Sequence, residues 1–214
     1  MSICRVNMYD FPEPLGTNRH ENDIHAILAR LERNGIPQRP IAFYGSSSFR
    51  LWNAMVEDLG SLDVVNLGFG GGTFLSALHY MERLLLPLNP VKIVLYFGEN
   101  DIANDGLTAE STFAHFLALR EEIANRLPEV HVYAMSVKHS PTRWLLADEV
   151  DRYNSFCADW CGARADTTWI EAGAGLIGEN GRPMSRCFLP DLIHMNAAGY
   201  AVWAQALRKF PGLL

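Results

Sequence analysis

The stretch IAFYGSSS, residues 41–48, changes from a run of apolar side chains to a glycine followed by three serines. A short, continuous apolar run is typical of a strand that is buried on both faces of a sheet. The same order of apolar strand, polar or glycine-rich loop and helix recurs along the chain. This alternation predicts a parallel sheet covered by helices on both faces, which is a three-layer α/β/α sandwich.

Five strands and five helices follow from this pattern, and an irregular segment containing Pro12 and Pro14 precedes them. The strands are predicted at residues 41–44, 64–67, 93–97, 132–136 and 168–170. The helices are predicted at residues 23–34, 73–86, 109–127, 145–161 and 196–209. No internal repeat or linker divides the sequence, so we expect one domain over residues 1–214, in which residues 1–40 form an N-terminal extension and helix.

Charge and composition exclude several classes of protein. The chain has 18 Lys and Arg against 24 Asp and Glu, a net charge of −6, and no basic cluster that would bind a nucleic acid backbone. The longest apolar stretches, such as residues 91–98, have the length of strands, so no membrane insertion is expected. The segment MSICRVNMYDFPEP at residues 1–14 does not read as a signal peptide, and the four cysteines are expected to be free thiols. We therefore expect a cytoplasmic protein, and the sequence gives no basis for choosing an oligomeric state.

Four segments carry the polar groups that a catalytic site needs. In an open parallel sheet, ligands bind outside the carboxyl ends of the strands. Residues 45–48, 66–72 and 98–101 lie at or after the first three predicted strands, and residues 191–194 precede the last helix. They supply a hydroxyl, free backbone amides, a carboxamide, and an acid three residues before an imidazole, which together suffice for acyl transfer from an ester.

These four segments resemble the sequence blocks of the SGNH, or GDSL-like, hydrolase family, and they occur in the family's order. The blocks are YGSSS at 44–48, NLGFGG at 66–71 with Thr73, GEND at 98–101 and DLIH at 191–194. The resemblance implies a flavodoxin-like sandwich with a five-stranded parallel sheet. It also implies a small-molecule ester substrate and neither a metal nor an organic cofactor.

The resemblance assigns a role to each site residue by its position in the motifs. Ser47 is implied as the nucleophile, His194 as the base and Asp191 as the residue that orients His194. The backbone N–H groups of Ser47 and Gly71 and the side-chain amide of Asn100 are implied as the oxyanion hole. The expected reaction is hydrolysis of carboxylic esters with short acyl groups, as in an acetylesterase.

Ser46 stands where the family usually has aspartate, between Gly45 and Ser47. This difference leaves open a second interpretation, a flavodoxin-like ligand-binding module with weakened catalysis. A nucleotide-binding protein is a third interpretation, because residues 68–70 begin like a dinucleotide fingerprint, although Thr73 breaks the pattern.

Two further groups near the expected site have a functional and a structural interpretation. Glu99, Asp101 and Asp105 suggest calcium, but their spacing favours a solvated turn. His139 follows the fourth predicted strand, in a loop that continues to Arg143 and Trp144, and it either lines the pocket or is an ordinary loop residue.

Overall fold

Five parallel strands form one sheet in the computed structural model, which describes residues 17–214. The strands are β1 Ile41–Gly45, β2 Val64–Asn66, β3 Lys92–Tyr96, β4 His131–Met135 and β5 Thr167–Ile170. Their order in the sheet is β2-β1-β3-β4-β5, and every neighbouring pair is parallel. The predicted α/β fold with a five-stranded parallel sheet is confirmed.

Helices cover both faces of this sheet. They are α1 Glu21–Asn34, α2 Ser47–Arg50, α3 Met55–Leu59, α4 Phe74–Leu84, α5 Glu99–Ala103, α6 Ala109–Arg126, α7 Ala147–Gly162 and α8 Ala197–Leu207. Helices α1, α4, α6 and α7 pack on one face, where Ala42 and Tyr44 of β1 point. Helices α2, α3 and α8 pack on the other face, where Ile41 and Phe43 point. Successive side chains of a strand point to opposite faces, so one apolar strand such as β1 supplies both cores.

The short helices α2, α3 and α5 are absent from the sequence-based prediction, which treated residues 45–48 and 98–101 as loops. Helices of four or five residues complete little more than one turn, so they show no hydrophobic period. The longer helices agree with prediction to within about two residues at each end, as assignments of helix ends generally do. The helix predicted from residue 145 begins at Ala147, after a 3-10 turn at Trp144–Leu146.

The N-terminal prediction is only partly covered by the described residues. Helix α1 lies directly before β1, as expected. The irregular segment with Pro12 and Pro14 lies outside the described residues, and so does Cys4. Cys157, Cys161 and Cys187 are free and buried. Between residues 17 and 214, no helix combines the length and apolar character that crossing a membrane requires.

The strand order fixes where a ligand site can form. From β1 the chain goes to β2 on one side, and then crosses to β3 on the other side of β1. This reversal opens a crevice at the carboxyl end of β1 in folds of this type. Ser46 and Ser47 follow β1 at that end.

Candidate active site

Ser47 lies at the turn from β1 into the short helix α2. Ser46 has an extended backbone, with φ −87° and ψ −160°, and α2 begins at the next residue. The Ser46 N–H donates to the Tyr96 carbonyl of β3 at 3.1 Å, and the Ser46 carbonyl accepts from Phe49 N–H at 3.0 Å. The strand-to-helix turn is thereby fixed on both sides of Ser47. It leaves the Ser47 side chain partly exposed at the carboxyl end of β1.

Asp191, His194 and Ser47 form one chain of hydrogen bonds. Asp191 Oδ2 lies 2.6 Å from His194 Nδ1, and His194 Nε2 lies 2.9 Å from Ser47 Oγ. Because the carboxylate accepts the Nδ1–H, Nε2 is free to accept the Ser47 proton. The structure therefore brings together three residues that the sequence placed up to 147 positions apart.

A tight turn over residues 191–194 produces the geometry of the acid and the imidazole. Leu192 has φ 56°, a left-handed conformation that residues other than glycine rarely adopt. In this turn Asp191 Oδ1 accepts from the N–H groups of Ile193 at 2.9 Å and His194 at 3.0 Å. Such strained residues persist only where surrounding contacts hold them, and they concentrate at functional sites.

The hydrogen bonds to Asp191 also determine its charge. Burial raises the pKa of Asp191, but the hydrogen bonds from the His194 ring and from the Ile193 and His194 backbone outweigh it. The pKa of Asp191 is lowered from 3.8 to about 2. Asp191 is therefore a carboxylate at neutral pH and can stabilise a protonated His194.

Helix α8 connects residues 191–194, the histidine segment, with α2, the serine helix. Asn196 caps α8, and its Oδ1 accepts from Ala198 N–H at 2.9 Å. One turn later, the Tyr200 hydroxyl donates to the Ser48 carbonyl at 2.9 Å. The Tyr200 ring also stacks on Trp52, with centroids 5.1 Å apart and planes within 14°. The buried Tyr200 contacts fix the position of α8, and hence of the His194 segment, relative to the turn that carries Ser47.

The glycine segment at residues 66–72 packs directly against the serine helix. The Asn66 side chain donates to the Phe49 carbonyl at 2.7 Å and accepts from Gly68 N–H at 2.9 Å. A Cβ on Gly68 would lie 2.3 Å from the backbone nitrogen of Arg50, so no side chain fits there. Gly71 has φ +67°, which glycine adopts without strain.

Three N–H groups at the predicted oxyanion hole lack a partner within the described residues. Neither Ser47 N–H nor Gly71 N–H has an acceptor between residues 17 and 214. Asn100 donates one side-chain N–H to the Gly72 carbonyl at 3.0 Å, and its second N–H has no acceptor in the same range. Its Oδ1 accepts from Asn104 Nδ2 at 3.1 Å, which fixes the orientation of the amide.

A buried ionic cluster, formed by Glu99, Lys138 and Arg143, supports Asn100. Glu99 Oε2 lies 2.6 Å from Lys138 Nζ and accepts from the Tyr96 hydroxyl at 2.9 Å. Arg143 donates to Glu99 Oε1 at 3.0 Å and lies 3.4 Å from Asn100 Oδ1. The lysine and arginine were not among the predicted site residues, although the loop containing them follows the fourth strand.

The charges of this cluster follow from its contacts. Burial raises the pKa of Glu99, but Lys138 and Arg143 outweigh it, and the pKa lies below its usual value. Burial lowers the pKa of Lys138, against the attraction of Glu99. With both partners ionised, the two cations Lys138 and Arg143 outnumber the Glu99 carboxylate by one positive charge beside Asn100.

Glu99, Asp101 and Asp105 do not form the solvated turn that their spacing favours. Glu99 and Asp101 are buried, and only Asp105 is exposed. Asp101 accepts from Phe74 N–H at the start of α4 and from Gly98 N–H, both at 3.1 Å. The prediction was wrong because the carboxylates bind backbone and side-chain donors inside the fold. No group of three or more His, Cys, Asp or Glu side chains within residues 17–214 could hold a metal ion.

The Ser46 hydroxyl and His139 lie outside the hydrogen bonds that join Asp191, His194 and Ser47. The Ser46 hydroxyl is buried and has no partner among the described residues, so it does not replace the hydrogen bonds of the usual aspartate. His139 Nε2 lies 3.1 Å from Asp151 in a separate cavity of about 390 Å³, which is lined neither by Ser47 nor by His194.

Comparisons with known proteins agree with this fold. The sequence matches the model of the GDSL-like Lipase/Acylhydrolase family over residues 32–202. Among curated proteins, none matches the sequence. A GDSL-like lipase from Bacteroides thetaiotaomicron is 17% identical with a TM-score of 0.69, over 91% of this chain and 96% of that chain.

Two other solved structures share the fold. The OSK domain of Drosophila Oskar is 20% identical with a TM-score of 0.64, over 81% of this chain and 88% of that chain. An acetyl-xylooligosaccharide esterase from Geobacillus Stearmophilus is 14% identical with a TM-score of 0.66, over 81% of this chain and 94% of that chain. The family match covers most of the chain and includes all four sequence blocks. The chain therefore belongs to the GDSL-like lipase/acylhydrolase family.

Proposed function

We propose that this ester hydrolase cleaves carboxylic esters of short acyl groups with Ser47 as nucleophile, His194 as general base and Asp191 as the orienting acid. The observation that carries the proposal is the continuous hydrogen bonding from Asp191 through His194 to Ser47 Oγ. A serine hydroxyl is a weak nucleophile at neutral pH, and a neutral imidazole within hydrogen-bond distance makes it competent.

In the first half of the reaction, His194 Nε2 takes the Ser47 proton while Oγ forms a bond to the ester carbonyl carbon. The oxyanion accepts hydrogen bonds from Ser47 N–H, Gly71 N–H and Asn100 Nδ2. The intermediate then collapses, the bond to the alcohol oxygen breaks, and His194 gives its proton to that oxygen. The product is an acyl ester of Ser47 and a free alcohol.

In the second half, water attacks the acyl group while His194 takes one of its protons. Collapse of the second intermediate breaks the bond to Ser47 Oγ, which regains its proton from His194. The carboxylic acid is released, and no other reactant is needed. The N–H groups of Ser47 and Gly71 support this step, since they have no acceptor among residues 17–214 and are available to the oxyanion.

Hydrolysis of p-nitrophenyl acetate by single variants tests the proposal. Ser47→Ala and His194→Ala should each abolish turnover, because each removes one end of the same proton transfer. Ser46→Ala and Ser48→Ala are matched controls in the same turn and should keep a measurable fraction of the activity. Full activity in Ser47→Ala would refute the assignment.

The preference for short acyl groups is tested separately with p-nitrophenyl esters of increasing acyl chain length. A structural neighbour is an acetyl-xylooligosaccharide esterase, which supports trying acetylated sugars as well. We expect kcat/KM to be highest for acetate and to decrease as the acyl chain becomes longer. A maximum at eight or more carbons would contradict it.

A ligand-binding module with weakened catalysis is the second candidate. The buried Ser46 hydroxyl, which has no partner among residues 17–214, favours it because the Ser47 turn lacks the hydrogen bonds of an aspartate. Binding of an ester without turnover by the wild type would support this module.

The buried free thiols of Cys157, Cys161 and Cys187 support a reducing compartment, and we propose the cytoplasm for either function.

A further inference from the structure

The segment before β1 contacts the glycine block on both sides of Gly70. Asp23, in the first turn of α1, accepts from Gly70 N–H at 2.7 Å. His20, in the preceding 3-10 turn, lies with Nδ1 2.9 Å from the Gly70 carbonyl. Both polar backbone groups of Gly70 are therefore held by side chains about 50 positions earlier in the sequence. Arg50 of the serine helix also contacts Asp23, at 3.5 Å.

The contacts of the His20 ring determine where its proton lies. Arg19 Nε donates to His20 Nε2 at 3.1 Å, so Nε2 acts as the acceptor. The proton is then on Nδ1, which donates to the Gly70 carbonyl. The ring is buried and packs edge-on against Phe69, with centroids 5.2 Å apart. His20 can therefore neither turn away from Gly70 nor exchange its donor and acceptor atoms without losing a hydrogen bond.

The hydrogen bond from His20 acts on the predicted oxyanion donor through one peptide group. The Gly70 carbonyl and the Gly71 N–H belong to the same planar unit, and the peptide is trans. In a trans peptide the C=O and the N–H point in opposite directions. Fixing the carbonyl toward His20 therefore fixes the Gly71 N–H on the opposite side, where it has no acceptor among the described residues.

Glycines make this peptide easy to rotate when nothing holds it. Residues 70, 71 and 72 are all glycine, and glycine adopts positive and negative φ almost equally well. Rotation of the peptide would turn the carbonyl oxygen toward the bound oxyanion and replace attraction with repulsion. A side-chain donor on the Gly70 carbonyl prevents this rotation.

We propose that His20 is a positioning residue, which orients the Gly71 N–H of the oxyanion hole through the Gly70–Gly71 peptide, and that Asp23 fixes the other side of Gly70. This inference rests on the proposed function, because it needs an oxyanion at Gly71. It gives the segment before β1 a part in the reaction, which His20 exerts through the backbone of the glycine block.

Three variants separate the effect of the His20 hydrogen-bond donor from the effect of the size of its ring. His20→Phe keeps an aromatic ring against Phe69 but removes the donor. His20→Asn removes the ring but keeps an N–H at nearly the position of Nδ1. His25→Phe is the matched control, because His25 lies on α1 with an exposed side chain that pairs with Glu21 at 3.5 Å.

Kinetics with p-nitrophenyl acetate give the primary result. Complete loss of one oxyanion donor lowers kcat by about 10²–10³, so partial misorientation in His20→Phe should lower it by at least about tenfold. KM should change little, since the oxyanion exists only in the transition state. His20→Asn should recover most of this loss, and His25→Phe should match the wild type. Equal kcat in His20→Phe and wild type would overturn the proposal, and so would an Asn variant as slow as the Phe variant.

A second measurement separates this inference from the proposed function. A crystal structure of His20→Phe should show the Gly70–Gly71 peptide rotated or in two orientations. An unmoved peptide would overturn the inference whatever the activity. If the wild type hydrolyses no ester, the proposed function fails and the peptide orientation alone decides the role of His20. If His20→Phe does not fold, His20→Leu, which also lacks the donor to the Gly70 carbonyl, takes its place in both measurements, and wild-type kcat with an unmoved peptide would again overturn the proposal.

Discussion

Replacing Lys138 with methionine tests the buried ionic cluster behind Asn100. The Lys138 side chain is fully buried, with Nζ 2.6 Å from Glu99 Oε2, and methionine fills a similar volume without the charge. Removing one partner of a buried ion pair costs about 3–5 kcal/mol, because the other charge stays buried. Arg143 and Tyr96 still contact Glu99, so we expect the lower end, about 3 kcal/mol.

Thermal unfolding followed by circular dichroism measures this loss. For chains of this length, each kcal/mol lowers Tm by about 2–4 °C, so Lys138→Met should unfold about 6–12 °C below the wild type. Adding Glu99→Gln removes the buried charge and should recover part of the difference. Arg126→Met is the control for an exposed pair with Glu82, which solvent screens, so its Tm should stay close to that of the wild type. A Tm for Lys138→Met within about 2 °C of the wild type would show that the buried ion pair does not stabilise the fold.

Three further predictions concern the site. Asn100→Ala should lower kcat by about 10²–10³ with little change in KM, as steady-state kinetics on p-nitrophenyl acetate will show; unchanged kcat would remove Asn100 from the oxyanion hole. The pKa of Asp191 is lowered from 3.8 to about 2, so its stabilising contribution is complete above pH 3.8 and lost as the pH falls toward 2. The difference in urea midpoint between the wild type and Asp191→Asn should therefore shrink over that range, and a constant difference would contradict the assignment. Gly68→Ala should lower Tm strongly because its Cβ would lie 2.3 Å from backbone, whereas Gly162→Ala, with nothing within 4 Å, should not; equal Tm values would contradict the close packing.

The sequence predicted the parts of the molecule that depend on local pattern. Strands such as β1 are continuous apolar runs, and helices such as α6 are long enough to show a period. Asp191 and His194 are three residues apart, so their contact could be expected from spacing alone. Their approach to Ser47 could be inferred only by placing segments at the same edge of the sheet.

Other contacts had no signal in the sequence. His20 and Asp23 lie in a segment without a motif, and their contacts with Gly70 depend on how α1 packs beside the glycine block. The burial of Glu99 depends on Lys138, which is 39 residues away on a loop after β4. Long-range pairing of single polar side chains leaves no periodic pattern, because each pair needs only one residue on each segment.

The position of Ser46 shows where a motif alone is insufficient. By sequence, the Ser46 hydroxyl in place of an aspartate carboxylate left open a ligand-binding module with weakened catalysis. In the structure that hydroxyl is buried without a partner among the described residues, and backbone hydrogen bonds of Ser46 hold the turn. The turn therefore relies on the backbone of β1 and α2.

Covalent labelling with a fluorophosphonate, followed by mass spectrometry of the digested protein, shows whether Ser47 is an activated nucleophile. The reagent reacts with a serine whose proton a neighbouring base removes, so we expect a single adduct on Ser47 that His194→Ala abolishes. An adduct on another serine, or an unlabelled Ser47 in the folded wild type, would contradict this assignment of the nucleophile.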